Sequence, residues 1–194
     1  MMDSPAAVLL VKFPGRGHDP VAVLCDLLAG HPAARGLRAY RAVELGAGCA
    51  YVDVAGDEAA GARLAASLQA DLGRALPGAM LTRLAALACV PGASSGEAAP
   101  YHYVVETDVL PEHEADFNAW YEQEHLPGLA SVPGTVCAMR YRNPDGHPRY
   151  HACYDLVLPE ILGSPPWLAV RGTPWSSRVR PTFFNTRRTM FRRV

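Results

Sequence analysis

Four side chains that could act on a small molecule recur at helical spacing in the second half of the chain. Phe117, Trp120, Tyr121 and His125 fall on one face of a predicted helix. A histidine ordinarily has a pKa of about 6.5, so His125 could serve as a general acid or base. Pro127 predicts that this helix ends near His125, because the residue before a proline disfavours the α conformation. The dipole at such a helix end would favour the protonated imidazole.

Neighbouring side chains could hold a substrate. Tyr121 could donate a hydrogen bond to a phenolic or carbonyl oxygen or orient the imidazole, although a core aromatic with a satisfied hydroxyl is the slightly favoured interpretation. Trp120 is interpreted as packing or as a pocket wall. Arg140 and Tyr141 adjoin on a predicted strand, so they must point to opposite faces. Arg140 could bind an anionic oxygen of a ligand or, equally, pair with an exposed carboxylate.

Two carboxylates and an amide flank the histidine. Glu122 could raise the pKa of His125 as an ion-pair partner. A solvated helix face is the favoured interpretation for Glu122 and Glu124, because charged residues are seldom buried. Asn118, one turn before Glu122, is open to both interpretations.

Motifs for a metal, nucleotide or flavin are weak. His102 and His151 lie on predicted strands that could be neighbours, but no HxH or HxxxH pair supports a metal site. The segment that begins at His113 is not the HExxH zinc motif. The segment 15–17 has two glycines but lacks the third glycine of a dinucleotide-binding loop. No cofactor and no metal are therefore expected.

The last part of the chain is basic. From Ile161 onward there are seven arginines and no acidic residue. These arginines are Arg171, Arg178, Arg180, Arg187, Arg188, Arg192 and Arg193. They could bind an anionic ligand or partner. The favoured interpretation is that they neutralise the acidic helix at 112–124, because the formal net charge of the chain is only −1 and no nucleic-acid motif accompanies them.

Composition bounds the class of protein. The chain has 194 residues, of which 49% are hydrophobic and 19% charged, as in a globular protein of one mid-sized or two small domains. No stretch is long enough to cross a bilayer, and the apolar run at 6–11 predicts a strand rather than a signal peptide. Five cysteines without a CxxC pair predict reduced, buried thiols and a cytoplasmic location.

One order of predicted elements occurs twice. Strands are predicted at 6–13, 36–44, 49–54 and 79–90, with helices at 21–28 and 58–72. Further strands are predicted at 101–108, 135–142, 149–158 and 181–194, with helices at 111–125 and, less regular, at 159–171. Each half is thus a β-α-β-β-α-β unit of the α+β, ferredoxin-like class. The Gly-, Ser- and Pro-rich segment 93–100 predicts a linker between domains at 1–92 and 101–194.

The second half resembles dimeric α/β-barrel proteins, and among them the EthD-like and antibiotic-biosynthesis monooxygenase-like groups. The residues that carry the resemblance are Phe117, Trp120, Tyr121, His125, Leu126-Pro127, Val132-Pro133-Gly134 and Arg140-Tyr141. The resemblance covers roughly 101–194, whereas the first half matches in element order only. It implies a fused tandem whose two units form one intramolecular barrel, either as a monomeric pseudo-dimer or as a homodimer.

The resemblance also implies a function. It suggests a small cofactor-independent enzyme that acts on an aromatic or polyketide-like molecule by cyclisation, dehydration, decarboxylation or oxygenation. His125 and Tyr121 would be catalytic, and Phe117, Trp120, Arg140 and Tyr141 would bind the substrate. The alternatives are a non-catalytic small-molecule-binding or stress-related protein and a haem-binding protein. A small apolar or aromatic ligand is expected as the partner, without nucleic acid or membrane.

Overall fold

The computed structural model describes residues 7–14, 19–44 and 46–194. The chain is α+β and divides into two compact units. The first unit runs to Ala86 and includes Asn143–Asp145 and Phe191–Val194, and the second comprises Leu87–Arg142 and Gly146–Met190. The segment 15–17 lies outside the described residues. The expectation that both units close into one barrel stays a prediction, as do the domain bounds.

The first unit has the predicted ferredoxin-like order. Its elements are β1 (Ala7–Phe13), α1 (Pro20–Leu28), β2 (Ala34–Ala42), β3 (Gly48–Val54), α2 (Glu58–Ala75) and β4 (Met80–Pro91). The strands lie side by side in the order β4-β1-β3-β2, and these neighbours are antiparallel. This order, with the first strand between the third and fourth, is that of a ferredoxin-like sheet.

Capping residues start both helices of the first unit where the sequence predicts them. The Asp19 carboxylate accepts a hydrogen bond of 3.0 Å from the backbone N–H of Val21, and Pro20 occupies the first turn. The Asp57 carboxylate accepts a bond of 2.9 Å from the N–H of Ala60 and starts α2. The predicted leucine stripe of α2 is buried and consists of Leu64, Leu68 and Leu72.

The second unit repeats this order with more helices. Its elements are β5 (Tyr101–Val109), α3 (Pro111–Trp120), a π-helical turn (Tyr121–His125), α4 (Leu126–Ala130), β6 (Thr135–Arg142), β7 (Tyr150–Leu156), α5 (Pro165–Arg171), α6 (Pro174–Val179) and β8 (Phe183–Arg193). The strand order is β8-β5-β7-β6, which matches the first unit position by position. The helix α6 is not predicted from the sequence, because its six residues are too few for a periodic pattern.

The predicted linker is fixed by hydrogen bonds within the second unit. The N–H of Gly92 donates to the carbonyl of Val136 at 2.9 Å, and the N–H of Ser94 donates to the carbonyl of Thr135 at 2.9 Å. The Ser94 hydroxyl accepts a bond of 3.1 Å from the N–H of Gly134. Residues 92–100 therefore form an ordered turn before β5, despite a composition typical of linkers.

The prediction that Pro127 ends the helix is wrong. The helix passes through a π-helical turn at Tyr121–His125 and continues as α4 to Ala130. The N–H of Leu126 donates to the carbonyl of Tyr121, five residues earlier. A proline in an ordinary α-helix clashes with the carbonyl of the preceding turn and lacks the N–H to bond it. The wider π-helical turn relieves this conflict, so Pro127 falls in the first turn of α4.

The prediction of buried thiols holds for only two of the five cysteines. Cys49 and Cys153 are buried, whereas Cys25 and Cys89 are exposed and Cys137 is half-buried, and none forms a disulfide. Cysteines on apolar strands can still face outward, since every second residue of a strand points to the other face. Across the described ranges, no helix is long and apolar enough to span a membrane.

Candidate functional site

Tyr121 lines two neighbouring cavities of the second unit. The larger cavity has a volume of about 310 Å³, and its polar lining consists of Asn118, Tyr121, Glu122, Arg140, Arg142 and Tyr150. The smaller cavity has a volume of about 30 Å³ and lies beside His125. A π-helical turn such as the one that carries Tyr121 and His125 is rare and is frequently found at functional sites.

Arg140 occupies a cage of aromatic rings beside the larger cavity. Its guanidinium carbon lies 4.4 Å from the ring centre of Tyr121 and 4.9 Å from those of Phe117 and Tyr150. Guanidinium groups at these distances interact favourably with the electron-rich ring faces. The side chain of Asn118 accepts a hydrogen bond of 2.6 Å from Arg140 Nη2. Arg140 is only 5% exposed, so rings and amide hold a buried cation in place.

The guanidinium of Arg140 has no carboxylate in direct contact among the described residues. Among the described residues, no acidic side chain forms an ion pair with Arg140, and its buried Nε has no hydrogen-bond partner. Burial lowers the pKa of the guanidinium, while the neighbouring Tyr121 and Tyr150 and the charge of Glu122 oppose the shift. An arginine remains protonated in proteins even so. The larger cavity is therefore lined by a buried positive charge that can accept an anionic partner.

A chain of hydrogen bonds extends from Arg140 to the protein surface. Asn118 Nδ2 donates to the Tyr150 hydroxyl at 3.3 Å, and that hydroxyl donates to the Glu114 carboxylate. Glu114 also lies 3.2 Å from Arg149 in an ion pair. Burial raises the pKa of Tyr150, and the bond to Glu114 raises it further. The network fixes Asn118, and through it the orientation of the Arg140 guanidinium.

His125 lies at the smaller cavity and is stacked on an aromatic ring. Its ring centre is 4.0 Å from that of Trp120, with an angle of 22° between the planes. Trp120 is itself fixed, because its Nε1 donates to Glu124 at 3.2 Å and to the Ser176 hydroxyl at 3.3 Å. His125 is 7% exposed, and its Nδ1 has no hydrogen-bond partner among the described residues. The small cavity has room for one or two water molecules.

The expectation of a protonated His125 is wrong. Burial, together with the charges of Arg171, Arg180 and Arg140, lowers its pKa to about 3. The helix dipole does not compensate, because the helix continues to Ala130 instead of ending at His125. The imidazole is therefore neutral near pH 7 and a much weaker base than a free histidine. It can still donate or accept a hydrogen bond.

The remaining predicted residues lie in three different places: in the core, at a cavity wall, and on the opposite face of strand β6. Phe117 and Trp120 are fully buried, so both serve as packing aromatics under the site. Burial raises the pKa of the Tyr121 hydroxyl to about 12, which keeps it a neutral donor. Tyr141 lines neither cavity, and its hydroxyl lies 3.4 Å from Met139 Sδ. Alternation along β6 explains this, because Arg140 already points toward α3.

The charged neighbours of His125 do not bind it. Glu122 is exposed and lines the larger cavity. Glu124 accepts hydrogen bonds from Trp120 and, at 2.6 Å, from the Thr173 hydroxyl, so it anchors α6 rather than facing solvent alone. The possible ion pair between Glu122 and His125 does not form.

The strand histidines pair with carboxylates instead of with each other. His102 lies opposite Asp155 in the β5–β7 register, and the two side chains approach to 2.6 Å. His151 lies opposite Glu106, with 3.4 Å between them. Within the ranges that the structure describes, no group of three potential ligands could hold a metal ion.

Solved structures with a similar fold carry several activities. A proposed monooxygenase from Fusobacterium nucleatum subsp. nucleatum ATCC 25586 has a TM-score of 0.65 and 12% identity over 100% of this chain and 94% of that chain. An anthrone oxidase-like protein has a TM-score of 0.61 and 14% identity over 100% and 92%. A haem-degrading enzyme from Listeria monocytogenes has a TM-score of 0.60 and 9% identity over 96% and 98%. No protein-family model and no curated protein matches the chain.

Identities this low show a shared fold and nothing finer. These structures confirm the predicted α+β fold, whereas the likeness to EthD-like and antibiotic-biosynthesis monooxygenase-like proteins stays a prediction. A haem does not fit beside His125. The cavity there has only about 30 Å³, and Trp120 covers one face of the imidazole at 4.0 Å.

Several site residues are missed by reasoning from the sequence. Arg142 and Tyr150 line the larger cavity, and Tyr103, Tyr154 and Trp167 line the smaller one. A signal for some of them exists, because Tyr150 and Tyr154 alternate with other residues on one face of β7. Trp167 carries no such signal, because α5 has only seven residues.

Proposed function

We propose that the second unit binds a small aromatic molecule with an ionisable oxygen, and that Arg140 stabilises the anionic form of that oxygen. The observation that carries the proposal is the buried guanidinium of Arg140, which lacks a carboxylate partner among the described residues and lines a cavity of about 310 Å³. Enzyme and ligand sites of this kind combine an apolar wall with a few fixed polar groups.

The cavity suits a ligand of one or two aromatic rings. Ligand pockets typically have volumes of about 300–1,000 Å³, so about 310 Å³ lies at the small end of that range. Leu87, Ala88 and Leu126 supply apolar wall, and the Tyr121 ring forms a further side. The raised pKa of the Tyr121 hydroxyl, about 12, keeps it a hydrogen-bond donor toward a ligand oxygen.

Stabilising a phenolate or enolate would make the ligand carbon electron-rich. The proton of the ligand hydroxyl, or of the carbon next to a carbonyl, passes to a base, and the Glu122 carboxylate is the basic group that lines this cavity. The resulting carbanion character serves cyclisation, dehydration, decarboxylation or reaction with dioxygen without a cofactor. The fold is shared with a proposed monooxygenase and an anthrone oxidase-like protein, which favours the oxidative branch.

This assignment moves the proton-transfer role away from His125. Its imidazole lines the other cavity and has a pKa of about 3. Tyr121 and Arg140 keep the roles expected for them, with Phe117 and Trp120 as the packing beneath and Tyr141 outside the site.

A phenol whose ionisation is visible in the ultraviolet tests the proposal. We would bind 2-naphthol to the protein and follow its phenolate absorbance against pH. Because an opposite charge next to an acid lowers its pKa by about 1–3 units, bound 2-naphthol should ionise at a lower pH than free 2-naphthol. In Arg140→Met, which keeps the hydrocarbon stem, the ligand should bind but lose this shift.

The matched control is Arg187→Met, because Arg187 is exposed and lines neither cavity. It should behave as the wild type. Naphthalene, which lacks the hydroxyl, should bind equally to wild type and Arg140→Met. An unshifted ionisation in the wild type, or an equal shift in Arg140→Met, would overturn the role of Arg140. A shift without consumption of oxygen or 2-naphthol would restrict the site to binding, the alternative function.

A further inference from the structure

Three arginines converge on the smaller cavity from three different elements. Arg171 is the last residue of α5, Arg180 follows α6, and Arg188 lies on β8. All three line the cavity beside His125, and none of them lines the larger cavity. The sequence favoured an interpretation in which the arginines after Ile161 neutralise the acidic helix. Among the described residues, that interpretation holds for Arg178, which pairs with Asp116 at 3.0 Å.

The three arginines are not neutralised within the described ranges. No ion pair there joins Arg171, Arg180 or Arg188 to a carboxylate, and no acidic side chain lines the cavity. Burial lowers the pKa of Arg180, and the charges of Arg171 and Arg188 lower it further. Like charges held near one another repel, so an anion between them would stabilise this arrangement.

Unpartnered polar groups face the same cavity. The indole Nε1 of Trp167, the hydroxyl of Tyr154 and Nδ1 of His125 are buried without a hydrogen-bond partner among the described residues. Trp167 and Tyr154 are each 1% exposed. Buried polar groups in native proteins are nearly always paired, so these three indicate that an ordered water or a ligand binds in the cavity.

The chemistry of these groups selects the partner. Arginine and indole N–H groups are donors only, and a tyrosine hydroxyl and a neutral imidazole can both donate. A ligand that satisfies all of them must accept hydrogen bonds and carry negative charge. A cavity of about 30 Å³ admits a small group and no aromatic ring. Both conditions describe an oxyanion such as carboxylate or phosphate.

We infer that Arg171, Arg180, Arg188, Trp167 and Tyr154 form a binding site for a small oxyanion group, a carboxylate or a phosphate. The site is separate from the larger cavity and does not depend on the function proposed for it. Tyr121 is the residue that lines both cavities.

The indole N–H resonances offer a direct test. The chain has three tryptophans, so a ¹H–¹⁵N spectrum contains three indole signals, which single Trp→Phe variants assign. We would titrate phosphate and, separately, acetate at constant ionic strength, with chloride as the third anion. Phosphate or acetate should shift the Trp167 indole signal along a saturating curve, while the Trp175 signal stays in place.

Two variants show whether the arginines are responsible. Arg188→Gln changes an exposed residue that should not affect folding, and Arg171→Gln/Arg188→Gln removes two of the three charges. Because a hydrogen bond to a charged group is worth a factor of about ten or more in affinity, each replacement should weaken binding about tenfold. Arg187→Gln, its exposed neighbour, is the control and should bind as the wild type does.

Each outcome decides the inference. Saturation by phosphate but not acetate assigns a phosphate group, and the reverse assigns a carboxylate. A linear, unsaturated shift that chloride reproduces would mean an adventitious ion only and would overturn the site. The site is likewise overturned if Arg188→Gln binds as tightly as Arg187→Gln does. The wild-type titration alone decides the matter if the double variant does not fold.

Discussion

The two units share one fold but fill the layer between helices and sheet differently. Both second strands carry a register shift at the same place, where Gly36 pairs with Asp53 in one and Cys137 with Asp155 in the other. Counting from this shift, Ala39 of β2 corresponds to Arg140 of β6. Ala39 is buried among apolar side chains, whereas Arg140 is buried beside a cavity.

The difference extends along the neighbouring strands. Leu9 pairs with Val52 in the first unit, and the corresponding pair in the second is Tyr103 with Tyr154. At the start of β3, Gly48 allows Phe13 to pack where a side chain would collide, since a Cβ there would lie 2.2 Å from the Phe13 ring. The corresponding residue of β7 is Tyr150.

The same order of strands and helices can thus enclose either an apolar core or a candidate binding site. In the described part of the first unit, the core clusters between helices and sheet consist of apolar residues. In the second unit, tyrosines and arginines leave space and unpaired donors at the same positions. Function on this fold therefore follows the residues that face the helices, and the fold alone does not determine it.

The largest expected effect on stability comes from placing an arginine in the first unit at the position that corresponds to Arg140. Ala39→Arg would bury an unpaired cation among Val11, Leu24 and Leu72. We expect it to lower the free energy of unfolding by more than about 4 kcal/mol, enough to unfold a marginal domain. Urea denaturation followed by circular dichroism measures the change.

The reciprocal variant Arg140→Met is the control for this comparison. It removes a buried charge but keeps the stem that packs on the aromatic rings, so its effect should stay within about 1–2 kcal/mol of the wild type. If Ala39→Arg were as well tolerated as Arg140→Met, the two layers would not differ in the way proposed.

A smaller loss is expected from opening a cavity in the first unit. Leu68 lies on the buried stripe of α2, and Leu68→Ala should cost about 2–5 kcal/mol, depending on how far the layer collapses. Gln69→Ala, its exposed neighbour on the same helix, should change the free energy of unfolding by less than about 0.5 kcal/mol. Equal changes in the free energy of unfolding for the two variants would show that the side chains around Leu68 are loosely packed and do not form a core.

The sequence predicts the helices and strands better than the candidate site, for a physical reason. Caps such as Asp19 and Asp57 and the stripe of α2 are local signals, and the structure confirms them. The π-helical turn depends on tertiary packing, so Pro127 is misleading when read locally. The pKa of His125 depends on burial and on arginines dozens of residues away. Arg140 is predicted as a candidate, but only the contacts reveal that an amide and aromatic rings surround it and that no carboxylate among the described residues forms an ion pair with it.

A pH effect should separate the two units. His125 has a pKa of about 3 in the folded chain and about 6.5 when unfolded, so the unfolded chain takes up a proton first as pH falls. Its contribution is therefore favourable above pH 6.5 and is lost as pH falls from about 6.5 to about 3, by about 1 kcal/mol per pH unit.

The variant His125→Gln does not titrate and should lose this slope. Urea denaturation at pH 7, 6, 5 and 4 gives the difference between wild type and variant, in which shared carboxylates cancel. His113→Gln, on the exposed face of α3, is the control and should run parallel to the wild type. Hydrogen exchange should confine the difference to peptides of the second unit. A constant offset between wild type and His125→Gln would show that the imidazole titrates normally.

The smallest expected effect tests whether a buried polar atom between the helices and the sheet of the second unit lacks a hydrogen-bond partner. Tyr154 corresponds to Val52, and its buried hydroxyl has no hydrogen-bond partner among the described residues. Tyr154→Phe should therefore leave the free energy of unfolding unchanged or raise it by up to about 1 kcal/mol in anion-free buffer. Tyr150→Phe is the matched control, since it removes a hydroxyl bonded to Asn118 and Glu114 and should cost about 1–3 kcal/mol. Adding phosphate should then stabilise the wild type more than Tyr154→Phe. Losses of equal size in the two variants without phosphate would mean that the Tyr154 hydroxyl already has a partner, and that the second layer is as closed as the first.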